Sequence, residues 1–343
     1  MARRYQHSAK IAEPVSSLPL ASLTRLVGFY LMECEVSRHS DQTLVGRGGH
    51  LRRLGWWAKE VGKVDSVGTE EVRRFLHYLA TGHKEPGGRW GNVPHGTRPV
   101  TPGTINTYYG TLRAFFNWCI KEEELTENPM AKIPRPIDRP DQVQPFTIDQ
   151  LKALEAAAHK TQNGVRDYAL FSVLLDTGIR ESELCALTIG DCDLQSRQIW
   201  IREGKGGKAR TISFGAETKK ALSAYLKQRL CTKEDNADEP LFVTEHGTRA
   251  GEPLRRYALL RTVYRWGRAA GITRARCCPH TFRHSFAVNF LRNGGAVFSL
   301  QVMLGHSSLS MTQKYVVLAQ ADIAKQHAMY SPMDSLKRGK NAR

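Results

Sequence analysis

The sequence predicts a mainly α-helical protein of two domains, the second of which also contains a small antiparallel sheet. Apolar residues recur every three or four positions along most of the 343-residue chain, which is the spacing of amphipathic helices. A glycine-rich turn at residues 204–207 lies between two short segments typical of β-strands. The segment 128–145 contains five prolines and cannot be helical throughout, so we expect it to separate the domains.

Four amphipathic segments predict the first domain, which we expect over residues 21–127, after a flexible lead-in at residues 1–20. The segments cover residues 23–36, 44–61, 70–79 and 104–120. Between the third and the fourth, residues 81–103 are rich in glycine and proline. This composition predicts a long loop that is either disordered or laid on a partner.

The second domain is expected over residues 146–318, after the proline-rich linker at 128–145. Thr147 and Gln150 have the spacing of a capping box, which starts a helix. The elements predicted next are an apolar helix at 167–177 that ends at Gly178, a helix at 180–187, strands at 198–202 and 209–214, and helices beyond Lys219.

The stretch from residue 298 to Tyr315 predicts a helix, a tight turn and a second helix. Apolar residues at helical spacing mark residues 298–304, and Gly305 stands where a helix commonly ends in a left-handed conformation. His306 then lies on the turn, and a capping-box pattern at residues 310–313 starts the next helix. Tyr315 is therefore expected in the first turns of that helix, near His306.

The charge of the chain predicts a nucleic-acid partner. Lysine and arginine number 50 against 33 acidic residues, a net charge of +17, and residues 249–283 hold nine arginines and one acidic residue. Such clustering suits a surface that contacts many phosphates, although a merely solubilising charge is the alternative. The candidate DNA contacts are Arg255, Arg256, Arg261, Arg265, Lys208 and Arg210.

The cysteines and the hydropathy pattern predict a cytoplasmic protein. The seven cysteines are scattered and lack CxxC spacing, which is typical of reduced thiols. No apolar run is long enough for a membrane span, and no signal peptide is evident. Cys277 and Cys278 with His280 and His284 form a possible metal cluster, but adjacent cysteines do not match the usual zinc spacings, so we expect no metal.

Several polar residues outside these patterns are candidates for catalysis. Arg180 and Glu183 share one helix face, and His280 and Arg283 share another. Lys205 lies at the tip of the predicted hairpin. Each of these features alone is more often a surface ion pair or a solvated side chain. There is also no GxxxxGK[ST] loop that would indicate use of ATP.

Together, these residues suit the attack of a tyrosine on a phosphodiester. The attack places negative charge on the phosphate oxygens, which planar arginines such as Arg180 and Arg283 can stabilise. One group must accept the phenolic proton, and another must protonate the departing oxygen. His280, His306 and Lys205 can fill these roles beside the nucleophile Tyr315.

The chain resembles the tyrosine recombinases, or phage integrases, over nearly its whole length. TGIRESEL, GKGGKAR, HTFRHSFA, LGHSSLS and TQKYV occur in that family's order and spacing. The resemblance implies that Arg180 and Arg283 clamp the scissile phosphate, that Lys205 is the general acid and that His280 is the general base. It also implies that His306 bonds a phosphate oxygen, that Glu183 supports the site, and that Tyr315 forms a 3′-phosphotyrosyl link without any cofactor.

The resemblance further implies a two-domain clamp on duplex DNA, with a helical core-binding domain and a catalytic domain. Four protomers would join two recombination sites during integration, excision or resolution of a mobile element or replicon. The tail at residues 319–343 would dock on a neighbouring protomer or pack on its own domain. The long 81–103 loop departs from a simple recombinase, and the short lead-in leaves no room for a separate arm-binding domain, so the chain is most similar to the Xer or transposon type.

Two other functions fit part of this pattern. A type IB topoisomerase shares the tyrosine and arginine chemistry but relaxes DNA alone. A DNA-binding protein that has lost catalysis would act only as an architectural factor. The tail and the helical amino-terminal domain favour a recombinase over a topoisomerase. The complete set of catalytic residues argues against a protein that has lost catalysis.

Overall fold

The computed structural model describes residues 16–83, 88–90, 96–137, 144–202, 209–230, 236–272, 277–306, 308–319, 327 and 331–333. The chain divides into two compact units, Met1–Asp141 and Gln142–Arg343. Both units are mainly helical, and the described residues of each include one small antiparallel sheet. In the parts of the chain that the structure describes, no helix is both long enough and apolar enough to cross a membrane.

The helices of the first unit agree with its amphipathic segments. They are α1 (Leu20–Val36), α2 (Asp41–Trp57, continued by a π-helical turn at Ala58–Gly62), α3 (Thr69–Ala80) and α4 (Pro102–Lys121). Side-chain caps fix the first residues of α2 and α4. The hydroxyls of Ser40 and Thr101 each accept a hydrogen bond from a backbone N–H three residues later. The core between these helices includes Leu51, Phe75 and Phe115, all fully buried.

The lead-in predicted at residues 1–20 is too long at its carboxyl end. Strand β1 (Leu18–Pro19) pairs with strand β2 (Ser66–Val67) in an antiparallel sheet, and Leu18 is 1% exposed. Burial of the leucine and its pairing with Val67 anchor the segment just before α1. Residues 1–15 lie outside the described residues.

The described parts of the predicted 81–103 loop fold against their own unit. The His83 N–H donates to the Thr97 carbonyl at 2.8 Å, and the Arg89 N–H donates to the Gly96 carbonyl at 2.9 Å. Arg89 is only 6% exposed, and its guanidinium donates to the Thr81 and Arg98 carbonyls. The described residues of this segment are therefore neither disordered nor laid on a partner, the two alternatives that its composition predicted. Residues 84–87 and 91–95 lie outside the described part.

The start of the proline-rich segment belongs to the first unit, so the linker predicted at 128–145 begins too early. Met130 and Ile133 are buried, and the Tyr109 hydroxyl donates to the Ile133 carbonyl at 2.9 Å. The apolar side chains between the prolines find a place in the core of the first unit, which the proline pattern alone did not indicate. Residues 138–143 lie outside the described part.

The second unit contains the predicted helices and the predicted hairpin. Its helices are α5 (Ile148–His159), α6 (Gly164–Thr177), α7 (Glu181–Ala186), α8 (Ala216–Leu230), α9 (Arg256–Ala269), α10 (Pro279–Arg292), α11 (Val297–Leu304) and α12 (Ser310–Ala319). Its sheet has the antiparallel order β3 (Cys192–Asp193), β4 (Gln198–Ile201) and β5 (Arg210–Ser213). Within the hairpin, Ile199 pairs with Ile212, and both are buried.

Aromatic rings form the centre of the core in the second unit. Phe282 of α10 is fully buried, and its ring meets those of Phe146, Phe171 and Trp266 edge to face at centroid distances of 5.2, 5.6 and 6.3 Å. Because Phe282 and Arg283 are adjacent on α10, this packing also fixes the position of the arginine.

Replacement of Phe282 by alanine should destabilise the second unit by about 3–5 kcal/mol, because it removes a fully buried ring and leaves a cavity. Urea unfolding followed by circular dichroism would measure the loss. Phe298→Ala is the matched control, since Phe298 lies on α11 with 70% of its surface exposed and should change stability by less than about 0.5 kcal/mol. Equal urea midpoints for Phe282→Ala and Phe298→Ala would contradict the central position of Phe282 in the core of the second unit.

Candidate active site

The end of helix α11 presents three consecutive backbone carbonyls to three arginine side chains. The last carbonyls of a helix lack partners within it and lie at the negative end of its dipole. Met303 accepts from Arg210 Nε at 2.9 Å, Leu304 accepts from Arg283 Nη2 at 2.6 Å, and Gly305 accepts from Arg180 Nη2 at 2.8 Å. One short helix thus gathers side chains from three distant parts of the chain.

Gly305 ends α11 in the left-handed conformation that its sequence position predicts. Its φ is +61°, a region in which a side chain is strained. A Cβ at this position would also lie 3.1 Å from Nη1 of Arg210. The glycine therefore allows both the turn to His306 and the close approach of the guanidinium.

Glu183 is the anion at the centre of this arginine cluster. Its Oε1 accepts from Arg180 Nη1 at 2.6 Å and from Arg210 Nη1 at 2.9 Å. Its Oε2 accepts from the Arg180 backbone N–H at 3.0 Å and from Arg210 Nη2 at 2.8 Å. Burial by itself would raise the pKa of this carboxyl, but the hydrogen bonds from Arg210 and Arg180 lower its pKa to about 2. Glu183 is therefore ionised at neutral pH.

Arg283 is the most deeply placed of the three arginines, with 4% of its surface exposed. Besides the Leu304 carbonyl, it reaches the Gly178 carbonyl through Nη1 at 2.7 Å. Gly178 has a φ of +59° and ends α6. Its carbonyl, like those at the end of α11, therefore lacks a partner within its own helix. Burial, and then the positive charge of Arg180, lower the pKa of Arg283 to about 10, at which it still carries its charge at neutral pH.

His306 lies on the turn after α11, as predicted, and is linked to the next helix. Its Nδ1 lies 2.9 Å from the Oγ1 of Thr312, which is fully buried in α12. Burial lowers the pKa of His306 to about 4, and the charges of Arg283 and Arg180 add to the effect. The imidazole is therefore neutral at pH 7.

Tyr315 lies in α12 next to these groups and is 1% exposed. Its ring is nearly parallel to that of His306, at an angle of 12° and a centroid distance of 6.1 Å. Lys314 places Nζ over the same ring, 5.0 Å from its centroid. Burial raises the pKa of the Tyr315 phenol, while the charges of Arg283 and Arg180 act in the opposite direction.

His280 lies at the exposed start of α10, and a second histidine stands between it and Tyr315. The ring of His284 is 5.4 Å from that of Tyr315 and 6.4 Å from that of His280, measured between centroids. Burial lowers the pKa of His284 to about 4, with further contributions from Lys314 and His280. The three rings follow one another from the helix surface to the buried tyrosine.

The remaining predicted contacts differ in their surroundings. Lys205 and Lys208 lie outside the described residues. The four arginines near or on α9 are all exposed: Arg255, Arg256, Arg261 and Arg265. Two of them make ion pairs, Arg255 with Glu252 at 3.2 Å and Arg256 with Glu181. Arg210 differs, since its side chain is 9% exposed and its guanidinium is bonded to Glu183 and Met303.

Two features of this site were not assigned to it from the sequence. His284 follows His280 by four residues, so helical periodicity could have placed both on one face of α10. The four backbone carbonyls that bind the arginines carry no signal in the sequence, because every residue has a backbone carbonyl. Among the described residues, no group of three or more His, Cys, Asp or Glu side chains is arranged to hold a metal ion, so Cys277 and Cys278 form no such cluster there.

Comparisons with known proteins agree with this architecture. The phage integrase family matches residues 144–321. Tyrosine recombinase XerD of Oceanobacillus iheyensis is 32% identical over 301 residues, which are 85% of this chain and 93% of that protein. Tyrosine recombinase XerD of Xanthomonas axonopodis pv. citri is 32% identical over 240 residues, 68% of this chain and 77% of that protein.

A solved structure supports the same fold. The XerH site-specific recombinase, bound to a palindromic difH substrate in a post-cleavage complex, superposes with a TM-score of 0.69. The match covers 94% of this chain and 100% of that one at 17% sequence identity. At this identity the likeness concerns the fold, which is the mainly helical architecture with small sheets that we predicted.

The lowered pKa values of His284 and His306 predict a stability change in mild acid. Both are lowered from 6.5 to about 4, so between these pH values the unfolded chain binds more protons than the folded chain. Stability should therefore fall as the pH drops from 6.5 to 4. His284→Gln removes one of these groups, and its stability should fall less over the same interval.

Unfolding midpoints in urea, measured at pH values from 7 to 4, would test this expectation. His39→Gln controls for the loss of a histidine, since His39 lies exposed in the first unit. Identical pH dependence for wild type and His284→Gln would contradict the assignment of a partly buried, neutral His284.

Proposed function

Because this chain belongs to the phage integrase family, the tyrosine recombinases, we propose that it cuts and rejoins duplex DNA at specific sites through a 3′-phosphotyrosyl intermediate. The observation that carries the proposal is the gathering of Arg180, Arg283 and His306 around the buried Tyr315. The substrate is a phosphodiester of duplex DNA in the cytoplasm, and the reaction is recombination.

In the first step, the Tyr315 hydroxyl oxygen attacks the scissile phosphorus, and the bond to the 5′ oxygen breaks. The phenolic proton passes to His280, which acts as the general base, and Lys205 protonates the departing 5′ oxygen. The new phosphotyrosyl bond keeps the energy of the old one. A 5′ hydroxyl from another strand then attacks that bond and releases Tyr315, so the number of phosphodiester bonds is unchanged.

Arg180 and Arg283 stabilise the negative charge that develops on the non-bridging phosphate oxygens. Arg283 donates to the carbonyls of Gly178 and Leu304, and Arg180 donates to the Gly305 carbonyl and to Glu183, which fixes both groups before DNA arrives. Fixed donors of this kind need little reorganisation during the reaction, and the loss of one typically costs about a hundredfold or more in rate. Glu183 supports Arg180 by its ion pair.

His306 acts as a neutral donor to the phosphate. If the Thr312 hydroxyl donates to Nδ1, the ring proton stays on Nε2, which can then hydrogen-bond a phosphate oxygen. The pKa of about 4 supports this role, because an imidazole that is neutral at pH 7 adds no further charge to the arginine cluster.

The burial of Tyr315 indicates that the free chain is not yet arranged for attack. With 1% of the residue exposed, a phosphodiester can reach the hydroxyl only after part of the site shifts. The raised pKa of the phenol likewise calls for a base before it can act as a nucleophile.

The first unit is proposed to be the core-binding domain and the second the catalytic domain, which together hold the DNA. The exposed arginines near and on α9 support a phosphate-contacting surface: Arg255, Arg256, Arg261 and Arg265. The net charge of +17 supports the same partner. Lys208 is proposed as a further contact.

We also propose that four protomers join two sites, each with residues 319–343 docked on a neighbour. The free chain would then be a monomer or a weak oligomer. Phe298 and Val302, on one exposed face of α11, are 70% and 66% exposed, which supports an apolar surface that another chain covers.

Tyr315→Phe should abolish the covalent protein–DNA adduct, because it deletes one oxygen and keeps the ring and its packing. Arg180→Ala keeps the nucleophile and should lower the rate of adduct formation by about a hundredfold or more. Each variant is incubated with a nicked cognate site, which traps the adduct, and denaturing gels with end-labelled strands reveal the 3′ linkage.

Tyr168→Phe is the control for loss of a phenolic oxygen, since Tyr168 lies on α6 away from the proposed nucleophile. An adduct formed by Tyr315→Phe at the wild-type rate would refute the assignment. Relaxation of supercoiled DNA by the wild type, without strand exchange between two sites, would favour the topoisomerase alternative.

Deletion of residues 320–343 should spare binding to a half-site but abolish the complex of four protomers. The deletion leaves α12 intact but also removes Ser331, which is buried within its own chain, so binding to the half-site verifies that the variant is folded. Native gel shifts on one-site and two-site DNA measure both properties. A deletion variant that still forms the four-protomer complex would show that the tail serves only its own protomer.

A further inference from the structure

We infer that Arg210 is a positioning residue of the active site, and that it acts through Glu183 and the end of α11 without contacting DNA. The inference rests on the proposed function, since it names a further residue on which strand cleavage depends. It also replaces our sequence-based assignment of Arg210 to the DNA-binding surface.

Three of the five N–H groups of the Arg210 guanidinium donate to the protein. Nη1 and Nη2 form a two-pronged pair with the carboxylate of Glu183 at 2.9 and 2.8 Å, and Nε donates to the Met303 carbonyl at 2.9 Å. The side chain is 9% exposed. The planar fork matches a carboxylate in a way that a lysine ammonium cannot.

Glu183 depends on Arg210 because the carboxylate is buried and also serves Arg180. Its side chain is 4% exposed, and each of its oxygens accepts one bond from Arg180 and one from Arg210. Removal of Arg210 would leave the buried anion with half of these bonds, a costly arrangement that the site can relieve only by movement. Because Arg180 is held by the same carboxylate, this movement would displace Arg180.

Arg210 also links the hairpin to the turn that carries His306. It is the first residue of β5, where it pairs with Ile201 at the end of β4, and Lys205 stands between these two residues in the sequence. Its bond to Met303 and its packing against Gly305 fix the base of this hairpin to the end of α11. One side chain therefore joins the strand that follows Lys205 to the elements that bear Arg180 and His306.

Arg202 offers a matched comparison on the other side of the hairpin turn. Its side chain is 52% exposed, and Nε donates to Asp191 at 2.6 Å, away from Glu183 and α11. Arg202→Lys and Arg210→Lys make the same chemical change. Both variants keep the positive charge and lose the planar guanidinium. A difference between their cleavage rates is therefore due to the contacts that Arg210 makes in the site.

The test measures single-turnover cleavage of a nicked site at saturating protein, together with the half-site Kd. Arg210→Lys should cleave on the order of tenfold to a hundredfold more slowly, as expected for displacement of groups that must be aligned, while its Kd stays within about twofold of the wild-type value. Arg202→Lys should match the wild type in both. A weakened Kd with an unchanged cleavage rate for Arg210→Lys would instead identify a DNA contact and overturn the inference.

A double-mutant cycle tests whether Arg210 affects the cleavage rate through Glu183 or independently of it. If Arg210 acts through Glu183, the variant with both Arg210→Lys and Glu183→Gln should cleave no more slowly than the slower single variant. A double variant whose cleavage rate is reduced by the product of the two single reductions would overturn the inference. Native half-site binding by every variant verifies that each one is folded, and Arg210→Gln repeats the test should the lysine variant not fold.

Failure of the proposed function gives a different result. A wild-type protein that forms no covalent adduct, or a Tyr315→Phe variant that forms it normally, would refute the function itself. A wild type that cleaves through Tyr315 while Arg210→Lys cleaves equally fast would refute only the positioning role of Arg210.

Discussion

The carbonyls at the end of α11 are the contacts on which the rest of the site depends. Three arginines must lie close together, although their charges repel, and a helix terminus offers fixed partial negative charge without needing further acidic residues. Because Met303, Leu304 and Gly305 are consecutive, their spacing sets the spacing of the guanidinium groups bonded to them. Gly305 makes this arrangement possible, since it lets the chain leave the helix without covering its last carbonyls.

Charge balance around these arginines explains the ionisation states of their neighbours. Glu183 is the acidic side chain that bonds both Arg180 and Arg210, and its lowered pKa reflects those bonds. Burial beside the same positive charges keeps His306 neutral. The site thus combines a permanently ionised carboxylate with a permanently neutral imidazole at neutral pH. The arginines cause the first, and burial, aided by their charge, causes the second.

Local patterns in the sequence predicted much of the fold, whereas long-range contacts escaped them. The helices around Phe115 and Phe282, the cap at Thr147 and the turn at Gly305 follow from residues within a few positions of each other. The Arg180–Glu183 pair lies within one helical turn and was predicted for that reason. Arg210 bonds a carbonyl 93 residues away, and no periodicity reports such a contact. Likewise, the burial of Leu18 and Ile133 depends on partners elsewhere in the first unit, so Leu18 was assigned to the flexible lead-in and Ile133 to the proline-rich linker.

The bond between His306 and Thr312 makes two events inseparable. Thr312 and Tyr315 lie one helical turn apart on α12, so they move together. A shift of α12 that uncovers the tyrosine hydroxyl also withdraws the threonine from the histidine ring. The position of the tyrosine and the hydrogen bond of the imidazole are therefore coupled through one helix.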